Sequence, residues 1–199
     1  MIPSCRVGVN SVVPGDDLVE SLRRRDYAGG VSRDTAAILV ETPLGTVGVE
    51  TTEVGVRRVH LPDAGIRASE TPGVGDAASA AADAAAQLEE YARGERERFD
   101  VALDWRGVED AHRRVLQTLC EIAPYGTTVT YGELGARAGV DDPRDVGVMM
   151  ARNPLPLVVP CHRVVASDGL GGYGGGLELK RRLLELEGVL PTRLDLGAL

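Results

Sequence analysis

Lysine is almost missing from this chain of 199 residues. Lys180 stands alone, so the 22 basic residues less one leave 21 arginines. Cysteine is scarce as well. Cys5, Cys120 and Cys161 are odd in number and far apart, which excludes a disulfide framework. No two cysteines have CxxC spacing, and His60, His112 and His162 do not cluster, so no metal site is expected. No apolar run approaches the ~20 residues that cross a bilayer. The opening residues, MIPSCRVGVN, lack the basic start and apolar stretch of a secretory signal. These absences lead to the expectation of a cytoplasmic protein without a membrane partner.

Net positive charge is also lacking. Thirty acids against 22 basic residues give a net charge of -8, which by itself argues against binding phosphate backbones. An acidic, lysine-poor, arginine-rich composition is, however, the pattern of proteins adapted to salt. There the acids stay solvated while salt screens their repulsion. The negative sum therefore does not exclude a nucleic-acid partner.

The pattern of the first third is that of strands. Ala36 to Glu41, Gly45 to Thr51 and Gly55 to Leu61 are short apolar or alternating runs separated by turn signals, which predicts a three-stranded meander. Asp76 to Arg93 is alanine-rich and stops at Gly94, a helix with a glycine end. Phe99 to Leu103 reads as one more strand. Glu109 to Ile122 has apolar residues at helical spacing and ends before Pro124-Tyr125-Gly126. Thr130 with Glu133 is a capping box that opens a short helix ending at Gly139. Asp142-Pro143 supplies an N-cap and an N1 proline for a second short helix running to Asn153-Pro154. Two short helices joined this way predict a helix-turn-helix. A proline- and glycine-rich loop follows, then a last helix from Leu177 to Glu187 that ends at Gly188.

Within that loop stands Pro160-Cys161-His162-Arg163-Val164. An isolated Cys-His pair is ordinarily a buried cysteine beside a structural histidine. Here it follows a helix-turn-helix and an apolar run and leads into glycines. The segment resembles the O6-alkylguanine-DNA alkyltransferases, the methylated-DNA–protein-cysteine methyltransferases, whose active-site signature is PCHRV. The resemblance extends through Pro124-Tyr125-Gly126, Thr130-Tyr131-Gly132-Glu133-Leu134, Arg144, Val146-Gly147, Asn153-Pro154, Gly169, Tyr173, Gly175-Gly176 and Leu186-Glu187-Gly188. It covers about Phe99 to Gly188, and several spaced motifs in one order are far more specific than any one of them.

The resemblance implies that Cys161 is the nucleophile and that His162 and Glu187, with a water, draw off its proton. It implies that Tyr131 hydrogen-bonds the guanine and assists its departure, and that Asn153 braces the loop holding Cys161. Arg144 would fill the gap left by a flipped nucleotide, with Gly147 on the same face allowing close approach to DNA. Val159, Tyr173, Gly174 and Gly175 would form the guanine pocket. The chemistry is consistent with this. Thiol ionisation alone contributes at most about thirty-fold, roughly 2 kcal/mol, so positioning and proton donation must supply the rest. The chain departs from the family in Gly174, where a serine or threonine is usual, and in Asp145, an acid beside Arg144 on the face expected to meet phosphates. Cys5 resembles one ligand of a zinc site found in some relatives, but no partners are visible. Cys5 and Cys120 read as ordinary thiols, Trp105 and His112 as structural residues.

The expected fold is therefore α/β. A sheet-and-helix domain over 1–95 would be followed by a mostly helical, winged-helix-like catalytic domain over 100–199. The expected function is a single-turnover transfer of an alkyl group from O6-alkylguanine in double-stranded DNA to Cys161, by a monomer without cofactor. The alternatives are a module that recognises alkylated DNA without repairing it, and a winged-helix regulator.

Overall fold

A computed structural model describes residues 35–62 and 75–192. Cys5 lies outside the described residues. Strands β1 (Thr35–Thr42), β2 (Gly45–Thr52) and β3 (Gly55–His60) form an antiparallel sheet in that order. The β1–β2 turn is fixed locally: the Thr42 hydroxyl accepts from Leu44 N at 3.1 Å and donates to Gly45 O at 2.7 Å. Helix α1 (Asp76–Ala92) packs on this sheet. Its buried stripe is Ala77, Ala81, Ala84, Leu88 and Tyr91, a spacing of three and four that lines one helical face. The alanines bring the helix close enough for Thr51 Oγ1 to donate to Ala77 O at 2.7 Å.

The strand expected at Phe99 to Leu103 is not a full one. It pairs with β3 only through Val56, whose N donates to Ala102 O and whose O accepts from Asp104 N, both at 2.8 Å. Gly55 permits that approach, since a Cβ there would lie 2.3 Å from Ala102 O. Further along, Val59 N donates instead to Pro154 O at 2.9 Å. The edge of β3 is thus shared between two segments, and the first stays a single bridge because its parallel register sets the residues before Ala102 opposite the β2–β3 turn. The second of these leads directly to Cys161.

Helix α2 (Asp110–Ile122) buries Val115, Leu116, Leu119 and Cys120. The capping box then opens α3 (Tyr131–Ala138): Thr130 accepts from Glu133 N at 3.1 Å, and the Glu133 carboxylate accepts from Thr130 N at 2.8 Å. Gly139, at φ 76°, ends it in the left-handed conformation. Asp142 caps α4 (Pro143–Ala151) by accepting from Arg144 N at 2.8 Å. His112 Nε2, 2.8 Å from Met149 O, ties α2 to the end of α4, and Trp105 packs against the core. A two-residue parallel pair, β4 (Val129–Thr130) with β5 (Val164–Val165), joins the start of α3 to the chain just after the Cys-His pair. Helix α5 (Gly176–Leu186) closes the structure.

Most buried residues of the sheet, α1 and the later helices form one continuous cluster, from Leu44 through Leu88 and Leu116 to Leu183, and Ala36, Ala77 and Ala81 form a second, small one. Among the described residues no helix is long and apolar enough to cross a membrane.

Candidate active site

A looped segment in which Leu157 takes φ 71° leads through Pro160 into a single 3-10 turn, Cys161–Arg163. Because that turn is short and buried, it points three successive side chains in different directions within the core. Cys161 faces a cavity of about 510 Å³ that Tyr131, Arg144, Gly147, Tyr173 and Gly174 also line. That volume lies within the range of small-molecule sites. Asn153 holds the preceding loop from both ends of its amide: Nδ2 donates to Val159 O at 2.9 Å and Oδ1 accepts from Leu155 N at 3.0 Å. Burial pushes the Cys161 thiol up, against the opposing pull of the Asn153 amide and the Lys180 ammonium. At rest the group is a thiol.

Behind it, His162 Nε2 lies 2.7 Å from Glu187 Oε1, and both side chains are fully buried. Nε2 is therefore the donor, which leaves Nδ1 as the lone-pair nitrogen, and Nδ1 has no hydrogen-bond partner among the described residues. Burial holds the imidazole below its ordinary value, with Arg163 and Lys180 adding to the effect and Glu187 opposing it. Burial would raise Glu187, but the bonds and charges of His162 and Arg163 outweigh it and hold the carboxyl at about 2. The pair at neutral pH is a neutral imidazole facing a carboxylate.

At the cavity mouth, Tyr131 Oη donates to Gly172 O at 3.2 Å. Burial raises its phenol above the ordinary value, so it keeps its proton at neutral pH. The Arg144 side chain is 91% exposed and is tethered by a 3.3 Å contact to Asp142. Gly147 leaves open space on the same wall, since a Cβ there would come no nearer than 4.0 Å to Tyr131. Asp145, unexplained from sequence, occupies the first turn of α4, where a carboxylate stabilises the positive end of the helix.

Two of the expected pocket residues sit elsewhere. Val159 is fully buried and does not line the cavity; its carbonyl already accepts from Asn153 Nδ2 and Cys161 N. Gly175 is a packing position, where a Cβ would fall 2.8 Å from Leu179 and 2.9 Å from Leu61.

Over residues 110–189 the chain matches the family described as 6-O-methylguanine DNA methyltransferase, DNA binding domain. It is 55% identical over 106 residues to a methylated-DNA–protein-cysteine methyltransferase of Methanopyrus kandleri, covering 53% of this chain and 79% of the relative. To the protein of the same name from Mycolicibacterium paratuberculosis it is 40% identical over 152 residues, covering 74% and 89%. The chain belongs to the methylated-DNA–protein-cysteine methyltransferase family. Its fold matches that of Mycobacterium tuberculosis OGT in complex with DNA, with a TM-score of 0.66 at 36% identity over 76% of this chain and 92% of that one.

Three further residues of this methyltransferase-family site escaped the sequence reading. Arg163 is buried and grips Glu187 through Nε at 2.8 Å and Nη2 at 2.9 Å, while Nη1 donates to Ala123 O at 2.8 Å. Lys180, the single lysine, is fully buried and donates to the carbonyls of Val164, Leu170 and Gly172 at 2.6, 2.5 and 3.0 Å. Burial pulls its ammonium down to about 8, while Cys161 acts in the opposite direction. Three carbonyls around a point match an ammonium, whose three donors converge on no plane, and not a flat guanidinium. That requirement was the available signal: one lysine kept among 21 arginines. Tyr91, from α1, donates to Glu187 Oε1 at 2.6 Å and lies 3.3 Å from His162 Nε2. Nothing in its alanine-rich helix marked it.

Proposed function

We propose that this chain repairs O6-alkylguanine in DNA by moving the alkyl group onto Cys161, once per molecule. The observation that carries the reading is a buried thiol at the base of an open cavity, backed by a neutral imidazole whose other nitrogen is held by a carboxylate. In this reading Arg144 and the α3–α4 helix-turn-helix engage the duplex. The flipped base enters between Tyr131 and Tyr173.

The steps balance as follows. His162 Nδ1 takes the thiol proton, directly or through a water, and becomes imidazolium against the Glu187 carboxylate. Cys161 Sγ attacks the alkyl carbon, the carbon–O6 bond breaks, and its electron pair passes to the guanine. Tyr131 hydrogen-bonds the departing base, which takes one proton from solvent and ends neutral. The His162 imidazolium releases the thiol's proton to solvent, so one proton in all passes from thiol to guanine. The thiol at rest makes this coupling necessary. Even an ordinary thiol costs about 2 kcal/mol to ionise at pH 7, and burial adds to that. The base must therefore act as attack proceeds. Among the described residues no group lining the cavity is placed to remove an alkyl group from sulfur, which limits the protein to one turnover.

The test is incubation with duplex DNA carrying one O6-methylguanine, followed by mass spectrometry of the protein. One added methyl on the Cys161 peptide, with unmodified guanine recovered in the DNA, is expected. Bound but unrepaired DNA would make the chain a recognition module instead.

A further inference from the structure

We propose that Tyr91, on helix α1, is a positioning residue of the transfer reaction: its hydroxyl sets the Glu187 carboxylate and the His162 imidazole behind Cys161. This rests on the repair reading above.

Tyr91 is fully buried, and its 2.6 Å bond to Glu187 Oε1 has the length of a hydroxyl donating to a carboxylate. The same oxygen accepts from His162 Nε2 at 2.7 Å and Arg163 Nη2 at 2.9 Å. The oxygen that anchors the imidazole is thus the one that Tyr91 holds. The phenol oxygen also lies 3.3 Å from Nε2. It therefore limits ring rotation from a second direction and helps fix which way Nδ1 points. Shared donors weaken a carboxylate as a base. How strongly Glu187 favours the imidazolium accordingly depends on Tyr91.

The groups facing this pair are Arg163 from the 3-10 turn, Lys180 from α5, Cys161, and the phenols of Tyr91, Tyr125 and Tyr173. Of these, Tyr91 alone comes from the first half of the chain, outside residues 110–189. Packing by itself does not need the hydroxyl. The ring contacts of Tyr91 to Phe99 at 5.3 Å and to Tyr125 at 6.3 Å would survive in phenylalanine. The sheet-and-helix segment thereby supplies one polar group to the proton path, in addition to apolar support.

The experiment is the pH dependence of single-turnover transfer from free O6-benzylguanine, with product on Cys161 read by mass spectrometry. Transfer needs neutral His162, so the rate rises as pH passes the imidazole's value. In Tyr91→Phe, Glu187 loses a donor, the imidazolium is favoured, and the acid limb should move up by about one pH unit. On that limb the rate falls about tenfold, while affinity for duplex DNA is unchanged. Replacing Tyr91 by 3-fluorotyrosine, a stronger donor with the same packing, should move the limb the other way. That variant also keeps the test open if the phenylalanine protein does not fold. Limbs unmoved in the folded variants, or moved in the same direction by both, overturn the inference. Glu187→Gln, run alongside, separates the two levels: if it transfers as fast as wild type, the relay itself fails and Tyr91 with it. If it is slow while the Tyr91 limbs stay put, only the role of Tyr91 fails.

Discussion

Replacing Glu187 by glutamine removes a charge from the point where His162, Arg163 and Tyr91 converge. In the folded protein that carboxyl is held at about 2 against an ordinary 4.5. A depressed acid contributes stability that is complete above its unfolded value and is lost as pH falls through its folded value. A difference of about 2.5 units corresponds to roughly 3 kcal/mol, present at neutral pH and vanishing between about pH 4.5 and 2. An independent route gives a similar figure. Glutamine would leave Arg163, only 3% exposed, without its counter-charge, and breaking a buried pair costs about 3–5 kcal/mol. The two figures count the same charge and are not added. For a chain of this length each kcal/mol moves Tm by about 2–4 °C, so ~3 kcal/mol predicts a drop of about 6–12 °C at pH 7. The assay is thermal unfolding by circular dichroism from pH 7 down to 2 for both proteins. The gap should narrow below about pH 4.5, as the wild type loses what the variant never had. Transfer from free base and duplex should slow equally, by about 10²-fold or more, because both need the base. A Tm gap that is absent, or that persists unchanged to pH 2, would refute this account of Glu187.

Cys161→Ala should abolish transfer while leaving affinity for alkylated duplex within about twofold, measured by mobility shift; methyl found on Cys120 in that variant would displace Cys161 as the nucleophile. Arg144→Ala should slow repair of duplex DNA by about 10–100-fold yet leave free O6-benzylguanine unaffected, since a free base needs no extrusion from a stack. Equal losses on both substrates would count against its insertion into DNA. Lys180→Met should lower stability by about 2–5 kcal/mol, because three buried carbonyls lose their donor. It should also weaken binding of the free base through the Gly172 segment, which calorimetry on the Cys161→Ala background can read.

The strands, the capped helices and the helix-turn-helix were legible because each carries its own local signal. The Thr130–Glu133 box, Gly139 and Asp142-Pro143 act within one turn of chain. Cys161, His162, Glu187, Tyr131 and Arg144 were legible from motifs, and the structure brings the first three together and sets the other two at the cavity mouth. What escaped depends on distance along the chain. Tyr91 meets Glu187 across 96 positions, and the strand expected at Phe99 to Leu103 shrinks to one bridge because its parallel register with Val56 sets the residues before Ala102 opposite the β2–β3 turn. Val159 had the right neighbourhood and the wrong free valence: its carbonyl is used up inside the loop. The pairing of β4 with β5 spans two residues on each side, too short for any periodicity to announce.

On the proposed reading, the burial that opposes a thiolate also explains why the reaction runs once and forward. Moving the proton from Cys161 to His162 places an anion and a cation in the same pocket, so no net charge enters it. The new imidazolium meets a carboxylate already held ionised by Arg163. The thiolate is the less stabilised member of this pair, in a site that solvates it poorly, with the Asn153 amide, the Lys180 charge and a backbone hydrogen bond in its favour. Alkylation removes that anion altogether. A neutral thioether suits a buried, largely apolar site better than the thiolate did, so the burial penalty is released in the step that forms the sulfur–carbon bond. Reversal would have to regenerate both the thiolate and an activated alkyl donor. The same low-polarity wall that makes the nucleophile reactive therefore leaves the alkyl group on Cys161.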